Sequence, residues 1–252
     1  MAEMEQRSFI DVHTHILPCF DDGSGSSAES MAMLRELGEM GARGVILTPH
    51  FYARRDEPDN FLTSRKQTAE HLSRKMEIAT EEDGAKFPSL YLGAEVEYFN
   101  AMSICSELDD MCIGGTRYLL CEMPFYRWTS AMIDELRIIK KKREITPIIA
   151  HIERHFRFFN PKMLDEMIEE GFLIQSNAEA FTGLGRGKVL KLLSEGKIHL
   201  LGSDCHNMEK RAPNMAAAFD VIEKKLGAQT VKKLCDKSIE IFKDAEKIYT
   251  GI

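Results

Sequence analysis

The sequence predicts an α/β protein built around a parallel β-sheet. Seven short apolar runs alternate along the chain with longer amphipathic segments, and this alternation is typical of repeated βα units. Side chains suited to metal binding follow most of these runs, which is where functional groups lie in parallel α/β folds. The two observations leave open whether the sheet closes as a barrel or winds as an open sheet.

The strands are predicted from short runs of aliphatic residues that end in polar groups. Because an amphipathic segment follows each run, successive strands should point in the same direction. We expect strands at residues 8–12, 44–48, 89–95, 118–122, 146–150, 172–176 and 198–202.

Six helices are predicted from apolar residues that recur at helical spacing. Ser26 or Ser27 is a suitable N-cap for the first helix. Gly171, Gly196 and Gly227 follow the ends of three others. The helices are expected at residues 28–40, 61–80, 130–142, 161–170, 188–195 and 215–226, with two further short helices within residues 230–252.

Length, charge and cysteine content narrow the class of protein. A chain of 252 residues suits a single domain covering residues 1–252. The net charge of −7 argues against nucleic acid as a partner, and the lack of an apolar run of about 18 residues argues against membrane insertion. Residues 1–7 are polar and unlike a signal peptide. The six cysteines show no CxxC spacing and therefore indicate neither a disulfide framework nor a zinc ribbon. Together these features lead us to expect a cytoplasmic protein.

The first predicted strand ends in two histidines, His13 and His15. In a β-strand, residues i and i+2 face the same side, so both imidazoles should reach one point where the strand ends. Two imidazoles at one point suit a divalent metal ion, although this spacing alone is weak evidence.

Further candidate ligands follow the other strands. A single strand-end histidine is usually structural, and we assign His71, His155 and His199 to such roles. Burying many such groups together without cations would be unfavourable, so the joint pattern predicts a metal centre at one face of the sheet. The candidates are Asp21 or Asp22, His50, Glu95, Glu97, Glu122, His151, Asp204 and His206, with Asn177 ending the sixth strand.

The ordered motifs resemble the PHP (polymerase and histidinol phosphatase) superfamily of metal-dependent phosphoesterases. Within it, the sequence is most similar to the bacterial PHP-type protein tyrosine phosphatases of capsule and exopolysaccharide operons. The resemblance extends from Ile10 to about Ala218. It rests on Asp11-Val12-His13-Thr14-His15-Ile16, Asp21-Asp22-Gly23, Thr48-Pro49-His50, Gly93-Ala94-Glu95-Val96, Ala150-His151-Ile152-Glu153-Arg154, Ser203-Asp204-Cys205-His206-Asn207 and Arg211-Ala212-Pro213-Asn214-Met215.

This resemblance implies a distorted seven-stranded (β/α) barrel that holds three divalent metal ions. Asp22 is preferred to Asp21 because the family's aspartate directly precedes the glycine, and Glu97 matches no family ligand. An N/O ligand set without thiolate suits Mn, Fe or Zn, and Mn is favoured for activity. The implied ligands are His13, His15, Glu95 and Asp204 for one ion, Glu95, Glu122 and His151 for a second, and Asp22, His50 and His206 for a third.

The resemblance also implies a metal-dependent protein-tyrosine phosphatase. Its expected substrate is the C-terminal tail of a bacterial tyrosine kinase that regulates capsule or exopolysaccharide synthesis. Arg154 and Arg211 are candidate catalytic residues, because guanidinium groups bind phosphate through paired donors. The alternative for either arginine is an ion pair with a nearby acid.

Three other readings remain. A cysteine phosphatase is suggested by C-x5-R matches from Cys205 to Arg211 and from Cys121 to Arg127, but neither loop has the glycines that direct N–H groups at phosphate. The same metals could serve a small phosphomonoester such as histidinol phosphate. The chain could also be a metal-binding scaffold without activity.

The aromatic residues 124–128 could stack on a tyrosyl ring or simply pack the rim.

Overall fold

The computed structural model describes residues 7–251. The described residues form an α/β fold with a curled, mainly parallel sheet surrounded by helices. The strands are β1 (Phe9–Thr14), β2 (Ala42–Leu47), β3 (His50–Phe51), β4 (Ser89–Leu92), β5 (Glu95–Glu97), β6 (Tyr118–Glu122), β7 (Thr146–Ile149), β8 (Leu173–Asn177), β9 (Leu200–Gly202) and β10 (Lys247–Tyr249).

The curled sheet is interrupted into two hydrogen-bonded parts, with the strand orders β1-β2-β4-β10 and β3-β5-β6-β7-β8-β9. The predicted count of seven strands is therefore not confirmed. Thr48 and Pro49 separate β2 from β3, and the predicted strand at residues 89–95 divides at Gly93 and Ala94. The buried Arg65 stabilises this second break by donating to the Gly93 carbonyl at 2.7 Å.

The helices agree with the predicted positions to within a few residues. Ser26 is the N-cap of the first helix, and its hydroxyl accepts from the Glu29 amide at 3.1 Å. The helices are α1 (Ser27–Glu39), α2 (Pro58–Asp83), α3 (Ser130–Arg143), α4 (Pro161–Glu169), α5 (Glu179–Thr182), α6 (Arg186–Ser194), α7 (Met215–Leu226) and α8 (Ala228–Phe242). Short 3-10 helices cover Met102–Ile104, Ser106–Met111, Ile113–Gly115 and Ile152–His155.

The C-terminal part differs from the prediction of two short helices. Here α8 is one helix, and β10 then pairs antiparallel with β4. The Tyr249 hydroxyl also lies 3.2 Å from that of Thr80 in α2, so β10 contacts α2 as well as β4. Pairing with β10 satisfies backbone groups on the edge of β4 that faces away from β2. Residue 252, the end of the predicted segment, lies outside the described residues.

The first strand also contacts the far end of the chain. Thr14 forms a parallel bridge with Cys205, and the Asp204 amide donates to the His13 carbonyl at 2.8 Å. Apolar side chains fill the space enclosed by the sheet; they include Ile10, Val12, Ile46, Leu120, Ile148 and Leu200. The polar carboxyl ends of the strands therefore lie above an apolar floor.

No helix in the described part of the chain is both long and apolar enough to cross a membrane.

Candidate metal centre

Four buried side chains converge at the end of β1, the start of β5 and the segment after β9. The Glu95 Oε2 atom lies 3.2 Å from the Nε2 atoms of both His13 and His15. Asp204 Oδ1 lies 3.6 Å from His13 Nε2 and 3.4 Å from His15 Nε2. These are the four residues predicted to share the first ion, and the structure brings them together.

A second group shares Glu95 with the first. His151 Nε2 lies 2.7 Å from Glu95 Oε1 and 3.3 Å from Glu122 Oε1. Burial lowers the pKa of His151, but hydrogen bonds with Glu122 and Glu95 outweigh it and raise that pKa to about 9. The two oxygens of Glu95 face different histidines, and its bridging of two ions stays a prediction.

The third predicted group lies nearer the solvent. Asp22 Oδ1 is 3.4 Å from His50 Nε2 and 3.5 Å from His206 Nε2. The Asp22 side chain is 65% exposed, whereas the buried His206 lies beneath it. The nine predicted ligands therefore form one continuous cluster that runs from the interior to the surface.

Some buried atoms of the candidate ligands lack hydrogen-bond partners in the described part of the chain, and bound cations would replace such partners. Within residues 7–251, Glu95 Oε2 and His206 Nε2 are buried without a hydrogen-bond partner, a rare and unfavourable state for polar atoms. Burial and the field of His15 also lower the pKa of His206 to about 4, so this imidazole is neutral at neutral pH. A divalent ion bound at this place would accept the lone pairs of these oxygen and nitrogen atoms.

Three of the histidines, His13, His15 and His206, have Nδ1 close to a protein oxygen, which leaves Nε2 for a metal. His15 Nδ1 lies 2.7 Å from Asp21 Oδ2, and His206 Nδ1 lies 2.9 Å from the Asp204 carbonyl. Burial would raise the pKa of Asp21, but the hydrogen bond with His15 outweighs it and lowers that pKa. Asp21, which sequence reasoning set aside as a ligand, therefore orients one.

Two amide side chains on β8 also belong to the site: Asn177 was among the strand-end candidates, whereas Gln175 was not predicted. The Gln175 Oε1 atom accepts from the His151 amide at 2.6 Å and lies 3.4 Å from His13 Nδ1. Its amide nitrogen donates to Asn177 Oδ1, and Asn177 in turn donates to Asp204 Oδ2 at 2.7 Å. Their signal in the sequence is two amides at alternate positions of an otherwise apolar strand, which places both on one face.

The backbone is constrained around these ligands. His151 and Asp204 have φ values of 30° and 52°, in the left-handed region that non-glycine residues seldom adopt. A Cβ atom at Gly202 would approach the His13 Cβ to 2.5 Å, and one at Gly23 would approach the His15 carbonyl oxygen to 2.1 Å. Both glycines are therefore required by the close approach of the first strand.

The predicted phosphate-binding arginines both lie at this centre. Arg154 and Arg211 each donate to Asp204 Oδ2, the latter at 2.8 Å. Each side chain is about one third exposed. The alternative considered from the sequence, an ion pair with a nearby acid, is thus the arrangement seen, and it holds both guanidinium groups beside the candidate ligands.

The aromatic segment after β6 divides into a buried part and an exposed part. Trp128 is buried and its ring nitrogen donates to the Pro124 carbonyl at 3.0 Å. Phe125 is 52% exposed, and its ring centroid lies 4.7 Å from that of the buried His155 and 6.4 Å from that of His151. Trp128 therefore packs the rim, whereas Phe125 offers an open aromatic face beside a candidate ligand.

The cysteine-phosphatase reading does not fit the structure. Cys205 and Cys121 are completely buried, and burial raises the pKa of both thiols. A nucleophilic cysteine requires an accessible thiolate with a lowered pKa, so neither residue is suitable.

The remaining candidates lie outside the cluster. Glu97 forms an ion pair with Arg54 at 3.4 Å. The ring of His199 accepts from the Ile174 amide at 3.0 Å, which is a structural role, and His71 is exposed on α2.

A curled, mainly parallel sheet with histidines and carboxylates clustered at its carboxyl end defines an α/β protein with a candidate metal centre. The family model described as "Capsular polysaccharide synthesis, CpsB/CapC" matches residues 9–243. The chain belongs to this CpsB/CapC family.

Two curated relatives support this assignment. The chain is 32% identical to the tyrosine-protein phosphatase CpsB of Streptococcus pneumoniae, covering 89% of this chain and 94% of the relative. It is 30% identical to the tyrosine-protein phosphatase YwqE of Bacillus subtilis strain 168, covering 87% of this chain and 86% of the relative.

Solved structures show the same fold. Crystal structures described as those of YwqE from Bacillus subtilis and CpsB from Streptococcus pneumoniae, unique metal-dependent tyrosine phosphatases, match with a TM-score of 0.79 at 23% identity, covering 96% of this chain and 99% of the other. A phosphotriesterase homology protein from Escherichia coli matches with a TM-score of 0.54 at 12% identity, covering 95% of this chain and 100% of the other.

Proposed function

We propose that this protein hydrolyses phosphotyrosine in proteins at a centre of three divalent metal ions. The observation that carries the proposal is the convergence of nine predicted ligands, with Glu95 Oε2 and His206 Nε2 left without hydrogen bonds to any described residue. The relatives are named tyrosine-protein phosphatases, and with them the predicted enzyme class, a metal-dependent phosphomonoester hydrolase, is confirmed.

The proposed ligand sets follow the three groups described above. Where a strand is interrupted, we count β2 with β3 and β4 with β5, which gives the distorted seven-stranded barrel of the PHP type in one domain.

Four carboxylates offset only part of the charge of three divalent ions, so the loaded centre would attract a phosphate dianion. Mn, Fe and Zn all suit this set of nitrogen and oxygen ligands, and we favour Mn for activity.

When bound, the ions would polarise the phosphoryl group and lower the pKa of water to near neutrality. The chain's own residues would position the reactants. Arg154 and Arg211 lie where they can turn from Asp204 towards the oxygens of a phosphate and hold them through paired donors. A phenolate leaves with a pKa of about 10, so phosphotyrosine requires less help from a general acid than an alkyl phosphate does.

Phe125 is our candidate for binding the substrate ring. Its exposed face lies beside His151, where a tyrosyl ring attached to phosphate at the centre would come to rest. Offset stacking of two aromatic rings contributes about 0.5–1.5 kcal/mol, which would favour aryl over alkyl phosphates.

The family description points to capsular polysaccharide synthesis. We propose that the substrate is the C-terminal tail of a bacterial tyrosine kinase that regulates this synthesis, and that the enzyme acts in the cytoplasm. A phosphatase that removes phosphate from such a tail would reset the kinase after each round of phosphorylation.

The decisive experiment combines metal analysis with a substrate panel. We expect the purified protein to contain transition metal, to hydrolyse phosphotyrosine peptides faster than histidinol phosphate, and to lose turnover on exhaustive chelation. Cys205→Ser should retain most activity. Full activity after chelation would exclude the metal mechanism, and a preference for histidinol phosphate would exclude the proposed substrate.

A further inference from the structure

A separate cavity of about 620 Å³ lies beside the metal centre, at the carboxyl end of the sheet. Its walls are the loop between β6 and α3 and the loop before α4. The two loops are joined, because the Trp128 amide donates to the Phe158 carbonyl at 2.8 Å and the Phe159 ring stacks on Trp128 at 4.8 Å. The cavity therefore has fixed walls.

The cavity is positively charged. Arg127 and Arg157 both line it, both are exposed, and neither forms an ion pair with a carboxylate among the described residues. Arg157 rests on the Phe158 ring, 5.1 Å from its centroid. Acidic side chains are absent from its described lining. Two unpaired guanidinium groups in one cavity are suited to an anion.

The side chains that cap the adjacent helices are already engaged. Thr129 accepts from the Met132 amide, and Asn160 accepts from the Met163 amide. The arginines are thus the charged groups left to bind a ligand, and the partial positive charge at the start of α3 and α4 has the same sign.

An aromatic path connects this cavity to the metal centre. The Trp128 ring centroid lies 5.3 Å from that of His155, which lies 5.4 Å from that of the candidate ligand His151. Phe125 covers His155 from the solvent side. An extended peptide advances about 3.3 Å per residue, so a peptide bound at the centre would place a side chain about three residues away in the cavity.

We infer that this cavity is an anion subsite for the protein substrate. Resting on the proposed function, the inference is that Arg127 and Arg157 bind a carboxylate or a second phosphate about three residues from the phosphotyrosine being hydrolysed. The enzyme then selects phosphotyrosines that lie within acidic or multiply phosphorylated segments. Such a subsite acts on the affinity for the substrate and leaves the chemistry at the metal centre unchanged.

The test compares peptides that differ in one charge. The metal-loaded wild type is assayed at low salt on a phosphotyrosine peptide with neutral flanks, and on versions with glutamate or phosphoserine three residues before or after the phosphotyrosine. We expect kcat/KM to be about tenfold higher for at least one glutamate or phosphoserine peptide, with the preference reduced at high salt. The glutamate and phosphoserine arms distinguish a carboxylate from a phosphate as the preferred anion.

The paired variant is Arg127→Gln with Arg157→Gln. It should lose the preference for the anionic peptide while hydrolysing free phosphotyrosine at the wild-type rate. The matched control, Arg43→Gln with Arg186→Gln, removes two exposed positive charges elsewhere and should keep the preference. Equal kcat/KM for neutral and anionic peptides in the wild type would overturn the inference, as would a preference that persists in the paired variant.

Trp128 supplies an independent readout because it is the only tryptophan in the chain. The glutamate peptide with phenylalanine in place of phosphotyrosine should change Trp128 fluorescence in the wild type and leave it unchanged in the paired variant. If the wild type hydrolyses no phosphotyrosine peptide, the proposed function fails; if it hydrolyses neutral and anionic peptides equally, only the subsite fails.

Discussion

The inner and outer parts of the candidate metal centre are built differently. The inner candidate ligands, exemplified by His13 and Glu95, are completely buried and are oriented by neighbouring side chains. The outer part includes Asp22, which is 65% exposed, and two arginines that are one third exposed. Buried ligands with fixed partners hold their geometry before an ion arrives, whereas exposed groups can move when substrate binds. We expect mutations in the inner part to abolish hydrolysis and mutations at the rim to change kcat/KM by smaller factors.

The sharpest test of the inner part is His13→Ala. The variant should lose about a thousandfold or more in kcat/KM for a phosphotyrosine peptide, because an ion that polarises phosphate is lost. Circular dichroism and bound metal per chain should show a folded protein with reduced metal content. The control, His71→Ala, changes an exposed histidine on α2 and should behave as wild type. An unfolded variant would mean that the inner ion is needed for folding.

Asp22→Asn tests whether the outer ion is separable from the inner two. Metal analysis should show the loss of one ion while the others remain, because Asp22 contacts only the outer histidines. We expect kcat/KM to fall about a hundredfold. Glu97→Gln, which removes a nearby carboxylate outside the cluster, is the matched control. Loss of all metal in Asp22→Asn would contradict a division into inner and outer parts.

Gln175→Ala tests the amide that supports the inner ligands without being a ligand. Removing its bonds to the His151 amide and the His13 ring should weaken metal binding about tenfold to a hundredfold, measured by competition with a chelator. Saturating metal should restore much of the turnover. Gln229→Ala, on the exposed surface of α8, provides the comparison. Unchanged metal affinity would show that the inner ligands do not depend on this amide.

The smallest effect is expected at the rim from Phe125→Ala. Its kcat/KM for phosphotyrosine peptides should fall about threefold to tenfold, as expected for a lost aromatic stack, while an alkyl phosphate such as histidinol phosphate is unaffected. Tyr126→Ala removes a neighbouring exposed ring and serves as the control. Equal losses on aryl and alkyl substrates would mean that Phe125 only maintains the rim.

Much of the centre could be predicted because strand geometry is periodic. His13 and His15 had to face the same side once their strand was identified, and parallel strands had to deliver later ligands to the same edge. The long helices were equally predictable from their apolar faces. The seven candidate strands all have counterparts in the structure, although several boundaries shift.

The rest depends on contacts that local sequence does not encode. Residues 89–95 look like one apolar run, and only the packing of Arg65 against Gly93 reveals the break. Asp21 and Asp22 are chemically identical neighbours; the family resemblance favoured Asp22 as a ligand, but only the contacts show that Asp21 anchors His15. A short strand such as β10 pairs with a partner far away in sequence, which neither propensity nor periodicity specifies.

The junction of β1 with the segment after β9 has a consequence for synthesis on the ribosome. The buried Asp11 carboxylate accepts from the Ser203 amide, 192 residues further along the chain, and Asp204 meets His13 at the same place. A nascent chain therefore lacks the inner site until about four fifths of its length has emerged. Metal uptake and catalytic activity would be among the last properties acquired, so a truncated translation product would be inert towards phosphorylated proteins.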